Sequence, residues 1–543
     1  MSENKKTNTA NTANVLEFSQ TYEQLLDLAN KADDKNDKGK AIRLLQKAIA
    51  LHPQKLDAKC RLAEVYADVG LYALSNNLLY WVLLRAPYET DGYYLLGQNA
   101  FALGKWNAAG YYFNLFATES DDADIDWDAI DGLMENVQSK TLHVVNERDV
   151  AAHLEEQARE SLGRGDFAKA AEIFEQAAEH SQDIATKNNL ALAYCIAGKL
   201  PQAKQYAEEV LALNPQDVFG RCNMLLIASL TGDEPQAQEC RKFLEETVPA
   251  DLQQLLKMVS VLANLQEDEL LYRKTKEYLQ KEPYQVDVAL LAFFAAFNTG
   301  RKEEAKELLL FNLTLDPEDP VSSFYLENFD ALDGRLGYLP QVTEQEMKRR
   351  ILLLQNEKTY TQLWKDSKRK AVLDWAYFTL DNVAFLDAVT SRVAHTAKKN
   401  WVPYFKKELL DCRIQDRSKE EMLCALLRSG AGRYAYVQDG ILREVIVPDL
   451  RQNPWMYPLA RAIGKMAWAY LLEEDYVQKL IDKAAELDRR IETLQLPTQE
   501  YHSDDMAAFL VQQCGFDLDT KELLTYFDTS AERLSDLNRL LFE

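Results

Sequence analysis

Residues 184–217 read IATKNNLALAYCIAGKLPQAKQYAEEVLALNPQD. Leu190, Ala191 and Tyr194 fall on one helical face at the i, i+1, i+4 spacing, and Gly198 ends that helix. Ala203, Ala207 and Val210 then form the facing stripe of a second helix, and Pro215 blocks further helix and sets the turn out of the unit. Small residues stand where two helices must approach, and large ones stand where the gap must be filled. The stretch predicts a tight helical hairpin.

The same hairpin recurs along the chain. Prolines stand at 215, 249, 283 and 317, each 34 residues from the next, and the same interval separates Pro53 from Pro87, Gly70 from Gly104, Gly198 from Gly232 and Ala203 from Ala237. The next unit repeats the scheme with Leu225, Ala228, Gly232, Ala237, Leu244 and Pro249. Earlier units carry Ala29, Ala41, Leu45, Ala48 and Pro53, then Leu62, Ala63, Tyr66 and Pro87, then Tyr93, Leu96, Gly97, Gly104, Ala109 and Phe113. Another runs through Ala158, Gly165, Phe167, Ala170, Phe174 and Ala177. In this period and these positions the sequence resembles tetratricopeptide repeats over about residues 22–317.

The resemblance implies an all-α fold: a right-handed superhelix of about eight helix pairs in two blocks. A second, mostly helical domain with one β-hairpin is expected to follow. The organisation expected is a disordered tail over 1–20, three repeats over 21–118, an acidic connector over 119–150, five repeats and a capping helix over 151–333, and a C-terminal domain over 341–543. In the seventh unit Gln266 and Leu271 replace the usual glycine and alanine, so that unit is expected to be distorted. The segment Asp333–Pro340 reads as a linker. In the C-terminal third, Asp439-Gly440 joins two β-prone runs near 433–447 as a two-residue hairpin turn would.

Repeats of this kind line their concave face with the first helix of each unit and hold peptides or partner helices there. In the first block that wall carries Glu23, Asp57 and Asp91 at 34-residue steps, joined by Asp27, Asp34, Glu64 and Asp68, so a basic peptide would suit it. Carboxylates in a first helical turn are also favoured by the helix dipole without any ligand. In the second block Asn189, Asn223 and Lys257 recur at the same step. They partly resemble the clamp repeats that grip the C-terminal carboxylate of heat-shock chaperones, but the clamp's second-position lysine is replaced by Ala185, Phe219 and Gln253. With Leu192, Leu226, Phe294, Ile196 and Leu230 nearby, a mixed apolar groove for an amphipathic partner helix is the better expectation.

Charge and motif content narrow the alternatives. A net charge of −24 over 543 residues repels phosphate backbones and anionic lipid, and no stretch is long and apolar enough to span a bilayer. Seven cysteines lie singly with no Cys-x-x-Cys pair, which suits reduced thiols and a cytoplasmic protein without a signal peptide. The aspartate run from Asp121 fails the calcium-loop pattern, because loop positions 6 and 12 hold Asp126 and Gly132. No histidine pair has metal-binding spacing, no phosphate loop or nucleophile elbow is present, and Tyr501–Asp505 is suggestive only by adjacency. The expectation is a scaffold that is not an enzyme and needs neither cofactor nor metal. Two other readings remain: a regulator touching nucleic acid through the helix-turn-helix-like stretch 521–541, where Arg533 and Arg539 are balanced by Glu532 and Asp536, and an unrecognised enzyme within 341–543.

Overall fold

The computed structural model describes residues 21–120, 130–135, 147–163, 166–181, 183–338, 344–380, 382–469, 474–494, 503–516 and 519–542. The tail over 1–20, most of the aspartate run, Gly165, Pro340, Tyr501 and His502 lie outside the described residues.

The first block consists of three helical hairpins: α1 (Tyr22–Asp33) with α2 (Lys38–Leu51), α3 (Asp57–Asp68) with α4 (Tyr72–Leu83), and α5 (Asp91–Ala102) with α6 (Trp106–Glu119). A short helix α7 at 130–135 follows, with Ile130 buried and Leu133 and Met134 packed on the third hairpin. Five more hairpins follow: α8 (Glu147–Gly163) with α9 (Phe167–His180), α10 (Ile184–Ile196) with α11 (Leu200–Leu213), α12 (Val218–Thr231) with α13 (Glu234–Glu246), α14 (Leu252–Asn264) with α15 (Asp268–Lys281), and α16 (Val286–Asn298) with α17 (Lys302–Leu315). Within the stretch expected as an acidic connector, residues 130–135 and the start of α8 are therefore helical.

Local chemistry explains the repetition. Asp183 caps α10 by accepting from the Thr186 amide at 2.8 Å, and Asp217, Asp233 and Asp251 cap their own helices in the same way. The first helix of seven hairpins ends at a left-handed residue 34 positions from its counterpart: Asn36, Gly70 and Gly104, then Gly198, Gly232, Gln266 and Gly300. The seventh unit is not distorted. Gln266 adopts φ +59°, accepting the ~1 kcal/mol that a side chain costs there, and Leu271 is fully buried where alanine was expected. Ala203, Ala207 and Val210 are fully buried against Leu190 and Ala191, as the small-against-large pattern requires.

After α17 come α18 (Pro320–Glu327) and a short 3-10 turn, Phe329–Ala331. The segment read as a linker folds onto the repeats instead. Leu336 exchanges two hydrogen bonds with Asn298, Arg335 pairs with Asp268 at 2.8 Å, and the Tyr338 hydroxyl donates to Asp268 at 2.6 Å.

The C-terminal module contains α19 (Glu344–Gln355), α20 (Glu357–Gln362), α21 (Ser367–Thr379), α22 (Val383–Ala394), α23 (Lys398–Glu408) and α24 (Asp416–Leu427). An antiparallel hairpin, β1 (Gly432–Gln438) and β2 (Ile441–Val447), is followed by α25 (Met456–Ala469), α26 (Glu474–Leu494), α27 (Ser503–Gln513), α28 (Thr520–Tyr526) and α29 (Ala531–Phe542). Asp439 and Gly440 both have positive φ, +47° and +82°, as a two-residue hairpin turn demands. Tyr434, Tyr436, Val445 and Val447 of the hairpin join the core of this module, whereas Val437 joins the core of the first block.

The first block, the last repeat and the C-terminal module meet one another. Gln46 of α2 donates to the carbonyls of Thr314 and Leu315, and the Tyr66 hydroxyl of α3 donates to Leu315 at 2.7 Å. Arg413 pairs with Asp316, and the hairpin turn is held by Tyr80 and Tyr112.

Candidate partner-binding surfaces

The inner face of the first block is already rich in internal ion pairs. Glu23 holds Lys55 at 2.9 Å, Asp27 holds Lys31 at 2.6 Å, Asp68 holds Lys38 at 2.6 Å, and Glu64 holds Arg61 at 2.5 Å. Asp57 and Asp91 sit in the first turns of α3 and α5, where the helix dipole favours a carboxylate. The repeated acidic positions thus face lysines and arginines of the chain itself, and the surface offered to a basic peptide is smaller than the carboxylate count implies.

In the second block the polar positions bind one another. Asn189 donates to Glu155 at 3.3 Å, Asn223 donates to the Asn188 carbonyl at 3.0 Å, and Lys257 donates to the Asn223 side-chain oxygen at 2.6 Å. Asn223 is 1% exposed and Lys257 half-buried. Burial holds the Lys257 amino group below its ordinary value, against the opposite pull of the Cys222 and Cys195 thiols. The three residues form a ladder between successive units rather than a pocket for a carboxylate. Phe294 is fully buried, packed on Tyr325 and Tyr338, and takes no part in an open groove.

What remains open on that inner face is apolar. Leu192, Phe219 and Leu226 are half-buried, while Ile196 is 41%, Leu230 57% and Leu256 44% exposed. Leu192 and Ile196 share a face of α10, and Leu226 and Leu230 occupy the matching positions of the neighbouring α12. Sequence reading found this stripe because the apolar residues repeat at the 34-residue step.

A second surface escaped it. Between α2, α3 and α4, the loop after α17 and the C-terminal module lies a cleft of about 1020 Å³, mostly apolar and joining three parts of the chain. No sequence period links residues so far apart.

Chemistry elsewhere is sparse. Among the described residues no three His, Cys, Asp or Glu side chains come together as a metal site requires. All seven cysteines are free, and burial pushes the Cys222 and Cys424 thiols up to about 12. Asp504 accepts from Arg461 at 2.5 Å, and Asp505 accepts from Thr529 at 2.6 Å, so both carboxylates serve packing. On α29, Arg533 faces Asp505 and Arg539 faces Asp536, while Leu534, Leu537 and Leu541 are buried. No described helix is long and apolar enough to cross a membrane.

No family model matches the chain. The chain is 26% identical over 306 residues to the TPR repeat-containing protein YvcD of Bacillus subtilis strain 168, a match covering 55% of this chain and 63% of that protein, which is less than two thirds of its length. Among solved structures, yeast Tom70 is 14% identical, covering 88% of this chain and 99% of its own at a TM-score of 0.26. A tetratricopeptide repeat protein from Parabacteroides merdae is also 14% identical, covering 57% and 98% at 0.26. At such low scores the assignment rests on the repeat itself and the Bacillus relative. Eight helical hairpins turning on a 34-residue period, and a relative named for the same repeat, make this chain a tetratricopeptide-repeat protein.

Proposed function

We propose that the protein is a non-catalytic scaffold whose second block holds an amphipathic helix of a partner protein along its inner face. The observation that carries this reading is the exposed stripe of Ile196, Leu230 and Leu256 beside half-buried Leu192 and Leu226. Isolated exposed leucines need no explanation, but a stripe continued from unit to unit matches the i, i+4 anchors of a helix laid across it. Asn189, Asn223 and Lys257 act in this reading as the internal ladder that fixes the spacing of the units.

The test is affinity capture from the source lysate, with nuclease, comparing the wild type with Ile196→Asp/Leu230→Asp. Both side chains are exposed, so the variant keeps its fold, which a melting curve checks. Expected is a partner retained by the wild type and lost from the variant. A set of retained proteins unchanged by the two aspartates would refute the inner-face reading.

A further inference from the structure

The cleft where the three parts of the chain meet has an unusual balance of charge. Its apolar floor includes Leu74, Leu78 and Leu410, all half-buried. Over it, Lys59 Nζ lies 4.0 Å and the Arg85 guanidinium 3.8 Å from the centre of the Trp81 ring, and Lys406 lines the opposite wall from α23.

The other cations of the cleft have carboxylates of the chain to hold them: Arg413 has Asp316 and Asp411, Lys407 has Glu318, and Arg433 has Glu444. Lys59, Arg85 and Lys406 form no ion pair among the described residues. Lys59 donates to the Pro53 carbonyl, Arg85 to the Trp81 carbonyl at 3.1 Å, and Lys406 lies 5.1 Å from the Tyr434 ring. Burial, and then the nearby Arg85 charge, lowers the Lys59 amino group from its ordinary value. In a chain of 86 acidic and 62 basic residues, three cations without acids around one half-buried tryptophan are a local reversal of sign.

We propose that this cleft, on the side of the second helices and away from the inner face, binds an acidic peptide segment of a partner protein. One carboxylate of the segment rests against Lys59 and Arg85, a second faces Lys406, and a large apolar side chain between them lies on Leu74, Leu78 and Leu410. The volume stands at the upper end of small-ligand pockets, which suits several residues of extended chain. A phosphate backbone fits less well, because Glu318, Asp411 and Glu444 also line the walls and would repel a charge at every step.

The test is selection of random eight-residue peptides on the full-length chain, followed by fluorescence anisotropy on the enriched peptides. Expected is enrichment of Asp or Glu beside Leu, Phe or Trp. Arg85→Gln/Lys406→Gln, whose side chains are exposed and outside the core, should lower affinity at least tenfold and leave the melting curve unchanged. Ile196→Asp/Leu230→Asp on the inner face should leave that affinity intact, so failure of one site is separable from failure of the other. No enrichment, enrichment of basic or neutral peptides, or binding indifferent to Arg85→Gln/Lys406→Gln would overturn the proposal. So would tight binding of a uridine oligonucleotide lost in the same variant, which would assign the cleft to nucleic acid.

Discussion

The contact between the β-hairpin and the first block rests on one carbonyl and one amide, and removing two hydroxyls separately tests it. The Gly440 carbonyl accepts from the Tyr80 hydroxyl at 2.8 Å and from the Tyr112 hydroxyl at 3.1 Å, while Tyr112 itself accepts from the Leu442 amide at 2.8 Å. Leu442 lies opposite Val437, whose amide donates to Leu409 across the strand edge, so this rung uses its amides away from the hairpin. Burial holds both phenols well above their ordinary value, so they stay protonated donors through the accessible pH range. Tyr80→Phe leaves the carbonyl one donor and costs about 1 kcal/mol, the net worth of a hydrogen bond. Tyr112→Phe removes a donor and also orphans the Leu442 amide, adding roughly 1–3 kcal/mol. Native-state hydrogen exchange at Leu442 reads this locally, without assuming that a chain this long unfolds in one step. Expected is exchange at least tenfold faster in Tyr112→Phe than in Tyr80→Phe, and a double variant worse than the sum of the two. Equal rates in the single variants, or the reverse order, would refute the assignment of that amide.

Three further outcomes follow from the same packing. A methyl at Gly97 would meet two Phe113 ring carbons at 2.5 and 2.6 Å, so Gly97→Ala should destabilise the first block by about 1–3 kcal/mol in urea melts, with Phe113→Leu relieving part of the loss. Burial first, and then the Asp374 and Asp411 charges, raises the Glu408 carboxyl from 4.5 to about 8, so the folded chain holds that proton more tightly than the unfolded one. Stability should therefore fall as pH rises from about 4.5 to about 8, and Glu408→Gln should flatten that part of the profile. Arg413→Met should cost about 3–5 kcal/mol by leaving Asp316 and Asp411 buried without their cation, read as faster proteolysis between the repeats and the C-terminal module. Burial already outweighs the guanidinium at Asp316 and raises its carboxyl, whereas at Asp411 Arg413 and Asn77 prevail and lower it, so acid should rescue the variant in part by protonating Asp316.

The repeats were legible because a helical hairpin is set by neighbours within one period: a cap, an alanine stripe, a left-handed turn and a proline all fall inside 34 residues. Gln266 shows the tolerance of that code, since the turn needs a left-handed backbone more than it needs glycine. The hairpin turn was legible for the same reason, through Asp439 and Gly440 alone. What covers each face was not legible. Asn223 repeats at the step of an inner-wall residue, but equivalent positions in stacked units are each other's nearest neighbours, so Lys257 reaches Asn223 34 residues back before it reaches any ligand. Polar residues repeating at the period of a solenoid should therefore be tested first as rungs of a ladder between units.

Contacts between distant parts of the chain carry no period at all. Gln46 meets Leu315 across 269 residues and Tyr80 meets Gly440 across 360. Their consequence is mechanical. A free solenoid bends along its length because each unit touches only its neighbours, and a ligand on its inner face must offset the loss of that freedom. Here α2 of the first unit is fastened to the end of α17 in the last, and Arg413 fastens the C-terminal module to the same loop. The ends that would move furthest in bending are tied, so the curvature of the inner face is set before a partner arrives, and the cleft at that closure lies where a second ligand would tighten the tie.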